Sequence, residues 1–175
     1  SGIGLGIAIE FAKTKQYNIV FNGLETNGQE IADGIAKQYG IEVMFSNANM
    51  LQPADLRKMV DDAVAKFGKI DVLVNNAGIQ FVSPIEDFPE DKWNAIIGIN
   101  LTSAFHLTKA VWKGMKERKF GRIINIASAH GLVASEFKSA YVASKHGIVG
   151  FTKTIALEGA PFGITANAIC PGYVK

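Results

Sequence analysis

The chain has one cysteine, Cys170, among its 175 residues. An internal disulfide is therefore impossible, and the composition suits a reducing compartment, so a cytoplasmic location is expected. Cys170 itself reads as a small core residue rather than a nucleophile. Histidine is scarce, three in all, and no Cys/His cluster has metal-ligand spacing, so no metal is expected. Charge of one sign is lacking. Eighteen Lys and Arg against 16 Asp and Glu leave +2 with no basic run, which argues against a nucleic-acid partner. Long apolar runs are also missing. Stretches such as Ile123-Ile124-Asn125-Ile126-Ala127 are strand-sized, far short of the roughly 20 residues that span a bilayer, so no membrane partner is expected. There is no internal repeat and no low-complexity linker. What remains is a somewhat Gly-rich globular mixture, 48% hydrophobic and long enough for one domain over residues 1–175.

Short β-branched runs alternate with longer helical patterns. Strands are expected at 18–22, 42–46, 71–75, 122–127 and 165–169. Helices are expected at 4–14, 29–39, 53–67, 91–118 and 139–160. Pro53 marks a first helical turn, and Gly40 and Gly68 fall just past helix ends. Apolar strands alternating with helices read as βαβ units around a parallel sheet. Ser1-Gly2-Ile3-Gly4 reads as the second half of a Gly-rich turn that should follow a strand. The chain also stops just after its last strand. The expectation is a piece of a longer polypeptide, lacking the first strand and the C-terminal segment.

Tyr141 and Lys145 lie four apart, with Ser128 thirteen residues before the tyrosine. On a helix that spacing puts phenol and ammonium on one face. A free tyrosine, with a pKa of about 10, is a poor base at neutral pH. A fixed cation within roughly 4–6 Å favours the phenolate, and such a tyrosine can take a proton from an alcohol as hydride leaves. Gly2 and Gly4 precede an apolar helix, whose N-terminus suits a pyrophosphate. Val72-Leu73-Val74 runs into Asn75-Asn76-Ala77-Gly78, an apolar strand ending in two amides and two small residues, as a ligand across strand ends requires.

Taken together, Gly2-Ile3-Gly4, Asn75-Asn76-Ala77-Gly78, Asn100, Ser128, Tyr141-x-x-x-Lys145 and Pro171-Gly172 resemble the short-chain dehydrogenase/reductase family over essentially the whole chain. The resemblance implies an α/β fold, a Rossmann-type doubly wound parallel sheet, binding a nicotinamide dinucleotide. It implies that Tyr141 is the acid/base and that Lys145 holds the nicotinamide ribose and favours the phenolate. Ser128 would bond the reacting oxygen, and Asn100 would hold a water linking Lys145 to solvent. Cofactor contacts are implied at Ser1, Gly2, Ile3, Leu24, Asn49, Met50, Asn76, Ala77, Gly78, Tyr141, Lys145, Pro171, Gly172 and Val174. Asn22 and Asn49 stand where relatives often have Asp. With no cation near Asn22 or at Ser1, NAD is favoured over NADP.

Gln80, His130 and Lys138 lie close to these motifs in sequence. An amide, an imidazole and an ammonium together suit a small carboxylate. From the residues alone, a loop cap, a loop histidine and a solvated charge remain open. The local wording around all three resembles the D-3-hydroxybutyrate dehydrogenases within the family. That resemblance implies a substrate site of Gln80, Ser128, His130, Lys138 and Tyr141 and oxidation of (R)-3-hydroxybutyrate by NAD. A 3-oxoacyl thioester or other small-ketone reductase is the alternative, as is a non-catalytic nucleotide-binding regulator. His106 and His146 read as packing or surface residues. Helices 91–118 and 139–160 are apolar on more than one side, which suggests subunit contact; the resemblance implies a homotetramer.

Overall fold

The computed structural model describes residues 2–173. Two compact units divide the chain, residues 1–69 and 70–175. The architecture is α/β with parallel strands and intervening helices, the Rossmann-type arrangement.

In the first unit, α1 (Gly2–Thr14) leads to β1 (Ile19–Asn22), α2 (Gly28–Tyr39), β2 (Val43–Ser46) and α3 (Pro53–Phe67). Strands β1 and β2 pair in parallel, Ile19 opposite Val43 and Asn22 opposite Ser46. A parallel pair needs a crossover, and α2 supplies it. Ala8 and Ala12 of α1, Ile19 and Phe21 of β1 and Ile35 of α2 form the core of this unit. Helix ends follow the punctuation in the sequence. Pro53 opens α3, where its missing N–H costs nothing. Gly40 and Gly68 close α2 and α3 with φ of 68° and 81°, each sending its N–H back to the last turn. One expectation needs correcting. Helix α1 begins at Gly2, two residues before the expected 4–14, so the Gly2–Gly4 stretch forms its first turn rather than a turn ahead of it; Gly2 has φ 62°.

The second unit runs β3 (Val72–Asn75), α4 (Glu90–Ile97), a π-turn (Gly98–Thr102), α5 (Ser103–Arg118), β4 (Gly121–Ile126), α6 (Ser139–Gly159) and β5 (Ile164–Ile169). Its sheet is parallel in the order β3-β4-β5. Ala104 of α5, Ala127 after β4 and Ile148 of α6 share a core cluster that Leu101, Val149, Phe151 and Cys170 border. Below the sheet, at the start of β4, the turns before β4 and β5 touch. Lys119 ends α5 at φ 53°, and Gly163 at φ 69° lies so close that a Cβ there would strike the Lys119 carbonyl.

The helix expected over 91–118 is broken. Between Gly98 and Thr102 the N–H of Ser103 reaches back five residues to the Gly98 carbonyl. Ile99 thereby loses its usual amide partner, and the Ser103 hydroxyl replaces it, donating to Ile99 O at 2.7 Å. Apolar spacing continues through this stretch, so it gave no sign of the break. Ile96 is buried before the π-turn, and Leu107, Val111 and Met115 are buried after it.

Candidate active site

In the second unit, polar side chains gather where β3 and β4 end and α6 begins. Lys145, 4% exposed, donates from Nζ to the Ile126 carbonyl at 2.8 Å. Its ammonium lies 5.6 Å from the centre of the Tyr141 ring, so the expected shared helix face is observed. Burial lowers the Lys145 pKa from 10.5 to about 8, with the nearby Cys170 sulfur opposing the shift. One of three ammonium N–H groups is used on Ile126, which leaves two for other acceptors. Gly78 faces this group: a Cβ there would come within 3.4 Å of Lys145 Nζ and 3.6 Å of Asn100 Oδ1. Glycine therefore keeps open the space beside an ammonium and an amide, which fits the hydroxyl-rich ribose of a dinucleotide.

Asn100 sits in the π-turn and is buried. Its Oδ1 accepts the Ile79 N–H at 2.8 Å, and its Nδ2 donates to Ile79 O at 2.9 Å. The second Nδ2 hydrogen goes to Ser144 Oγ at 3.1 Å, and that hydroxyl donates to the Tyr141 carbonyl at 2.8 Å. The carboxamide is thus tied to the chain after Gly78 on one side and to the Tyr141 turn on the other.

Ser128 follows β4 in extended conformation and caps a short 3-10 turn, Ala129–Gly131; its Oγ accepts from His130 N at 3.1 Å. Accepting leaves the hydroxyl proton to donate elsewhere. The His130 ring meets Tyr141 edge-on, with centroids 6.0 Å apart. A Cβ on Gly131 would press on the Lys145 carbonyl at 2.7 Å, so glycine lets this turn lie against α6. Lys138, half-buried, stands just before α6, and Gln80 is exposed two residues past Gly78. Pro171 accepts the Ala129 N–H at 2.9 Å, and Gly172 is exposed. Asn76 is half-buried, and Ala77 and Gly78 are exposed. The His106 ring lies tilted beside that of Phe105 in α5, and His146 is exposed with Nδ1 3.0 Å from Val142 O.

A second relay lies deeper in this unit. Asn75 Nδ2 donates to Asn125 Oδ1 at 2.8 Å, Asn125 Nδ2 donates to Thr152 Oγ1 at 2.8 Å, and Thr152 donates to Ile148 O at 2.6 Å. Sequence reasoning missed Ser103, Asn125, Ser144 and Thr152. Only Asn125 carried a signal, as an amide inside an otherwise apolar strand.

In the first unit, Gly2 and Ile3 begin α1, and Leu24 is exposed after β1. Asn49 uses Oδ1 on the Leu51 N–H at 2.9 Å, and Met50 is half-buried beside it. Asn22 closes β1; its Nδ2 donates to Ala48 O at 3.3 Å, while Oδ1 is buried and has no partner among the described residues. Ser1 and Val174 lie outside the described residues.

A Rossmann-type arrangement with a Tyr-Lys helix turn defines a class of oxidoreductase, and comparison agrees. The family model for short chain dehydrogenase matches residues 1–175, and the chain belongs to that family. It is an oxidoreductase of a family that uses nicotinamide dinucleotides. Among curated relatives it is 56% identical to the D-beta-hydroxybutyrate dehydrogenase of Cupriavidus necator, over 99% of this chain and 67% of the relative. The protein of that name from Rhizobium meliloti is 52% identical, over 99% of this chain and 68% of its own length. The 3-oxoacyl-(acyl-carrier-protein) reductase FabG of Salmonella typhimurium is 36% identical, over 99% and 70%. Among the described residues, no helix is long and apolar enough to cross a membrane.

Proposed function

We propose that the protein oxidises (R)-3-hydroxybutyrate to acetoacetate with NAD, using Ser128, Tyr141, Lys145 and Asn100. The observation that carries this reading is the buried Lys145 ammonium, held by Ile126 O and 5.6 Å from the Tyr141 ring. Tyr141 takes the proton of the substrate hydroxyl, and the adjacent cation stabilises the charge that proton transfer moves. Ser128 donates its remaining proton to the reacting oxygen. The bound nicotinamide supplies the hydride acceptor. Lys145 holds the ribose with its two uncommitted N–H groups. Asn100, whose side-chain N–H groups are both used, holds the water beyond Lys145 through an oxygen. The cofactor contacts named from the family resemblance belong to the same proposal.

Asn22 supports NAD. Its buried, unpartnered Oδ1 can accept from a ribose 2′-OH, whereas a 2′-phosphate would set oxygen against oxygen. Gln80, His130 and Lys138 bind the substrate carboxylate, and the names of the relatives at 56% and 52% identity support that choice. The protein works in the cytoplasm as a homotetramer without nucleic-acid or membrane partners. The exposed Phe105 of α5 and Leu157 of α6, 44% and 80%, support subunit contact.

The test compares NADH oxidation with acetoacetate and with its methyl ester. A marked preference for the free acid is expected. Equal rates would remove the carboxylate site and favour the thioester reductase reading, which the relative at 36% identity represents. Binding of NADH without turnover of any hydroxy acid or ketone would favour the regulator.

A further inference from the structure

We infer that Ser144 is a positioning residue for the reaction, acting through Asn100; the inference rests on the proposed use of Tyr141, Lys145 and Asn100. Ser144 is completely buried, at 0% exposure, so its hydroxyl does not serve the surface. It carries a single proton, and that proton goes to the Tyr141 carbonyl at 2.8 Å. The hydroxyl therefore presents only lone pairs to Asn100, and the Asn100 Nδ2 donates to it at 3.1 Å. Asn100 meanwhile makes two bonds to the main chain of Ile79. The result is a chain of four groups: Tyr141 C=O, Ser144 hydroxyl, Asn100 carboxamide, Ile79 peptide. It joins the helix turn bearing Tyr141 and Lys145 to the π-turn and to the segment after Gly78.

This placement gives Ser144 a different task from that of a packing serine. Alanine in its place leaves one Asn100 N–H buried without an acceptor, and such a group moves or finds another partner. Either response displaces the Asn100 oxygen, which borders the same space at Gly78 as the Lys145 ammonium: a Cβ there would meet the two at 3.6 and 3.4 Å. Neither Tyr141 nor Lys145 loses a side-chain contact. The expected fault lies in proton movement, with substrate and cofactor binding kept.

The experiment uses the full-length protein and the variants Ser144→Ala, Ser144→Cys, Asn100→Ala and the Ser144→Ala/Asn100→Ala pair. Ser144→Ala is expected to lower kcat about tenfold with KM for hydroxybutyrate within about twofold. Its solvent isotope effect on kcat should rise. In the Asn100→Ala background the same change should cost less than about twofold, because residues acting as one unit are not additive. Independently of turnover, the Ile79 amide, bonded to Asn100 Oδ1, should exchange with solvent about tenfold faster in Ser144→Ala. Ser144→Cys fills the volume with a weak acceptor and should fall between. It also serves as the test variant should the alanine protein not fold. Fully additive losses, or Ile79 exchange equal to wild type, would overturn the inference. A wild-type protein that turns over no hydroxybutyrate defeats the proposed function instead, and Ile79 exchange then decides the role of Ser144.

Discussion

The two units handle polarity in opposite ways. Among the described residues, every buried polar or charged residue lies in the second unit: Asn100, Ser103, Thr108, Asn125, Ser128, Ser144, Lys145 and Thr152. The described residues of the first unit include none. Ion pairs there such as Lys13 with Glu10 and Lys58 with Asp62 are solvent-exposed and local in sequence. Its core is alanine, isoleucine and phenylalanine. Burying polar groups costs free energy unless each is bonded. The second unit accepts that cost and places half of these groups in two relays, one reaching the Tyr141 carbonyl and the other joining the β3 and β4 ends to the Ile148 carbonyl. The contrast separates a region specified by apolar pattern from one specified by hydrogen bonds.

The sharpest way to exploit the contrast is to remove the phenol. Tyr141→Phe should reduce kcat by about a thousandfold or more while NADH affinity, read by fluorescence titration, changes little. Retention of activity would leave the Asn100–Ser144 relay without a chemical purpose.

Lys145→Met comes next. Besides abolishing efficient turnover, it should change how stability depends on pH. Below pH 8 the lysine is charged in folded and unfolded chains, and its burial works against folding. Between pH 8 and 10.5 the folded protein releases the proton first, so the penalty fades as pH rises. The stability difference between Lys145→Met and wild type should therefore shrink by on the order of 3 kcal/mol across that window. Denaturant melts at several pH values measure it. A constant difference would mean the ammonium is not effectively desolvated.

Thr152→Val tests the deeper relay. It leaves an Asn125 N–H without its acceptor and should cost about 1–3 kcal/mol in stability. Activity per folded molecule should stay close to wild type, because the relay touches no reacting group. A large loss of kcat instead would extend the working site down α6. At the bottom of the scale, Lys58→Ala in the first unit should leave the melting temperature unchanged within error, since its partner Asp62 is also solvent-exposed.

These differences also explain what could be read in advance. The helix at 53–67 was legible to the residue, because Pro53 and Gly68 punctuate it and its apolar spacing is regular. Strand ends were within a residue for the same reason. The π-turn was not legible. It is produced by an amide choosing Gly98 over Ile99 and a hydroxyl filling the vacancy, and neither choice alters the apolar pattern. In the candidate site, Tyr141, Lys145, Ser128 and Asn100 were readable from spacing and family resemblance. Their partners were not. Ser144 bonds a residue 44 positions away, and Asn125 joins Asn75 across 50. Such pairings exist only once strands and helices are docked, and a serine in a helix gives no hint of them.

The contact between Gly163 and Lys119 has a consequence for any attempt to re-engineer this protein. Parallel strands put the reactive groups at one end and this crossing of two main chains at the other. The exposed Gln80 has room to vary with new substrates. The crossing does not, because the missing methyl group at position 163 is the clearance itself. Libraries that randomise position 163 should return glycine for reasons of assembly, whatever activity is selected.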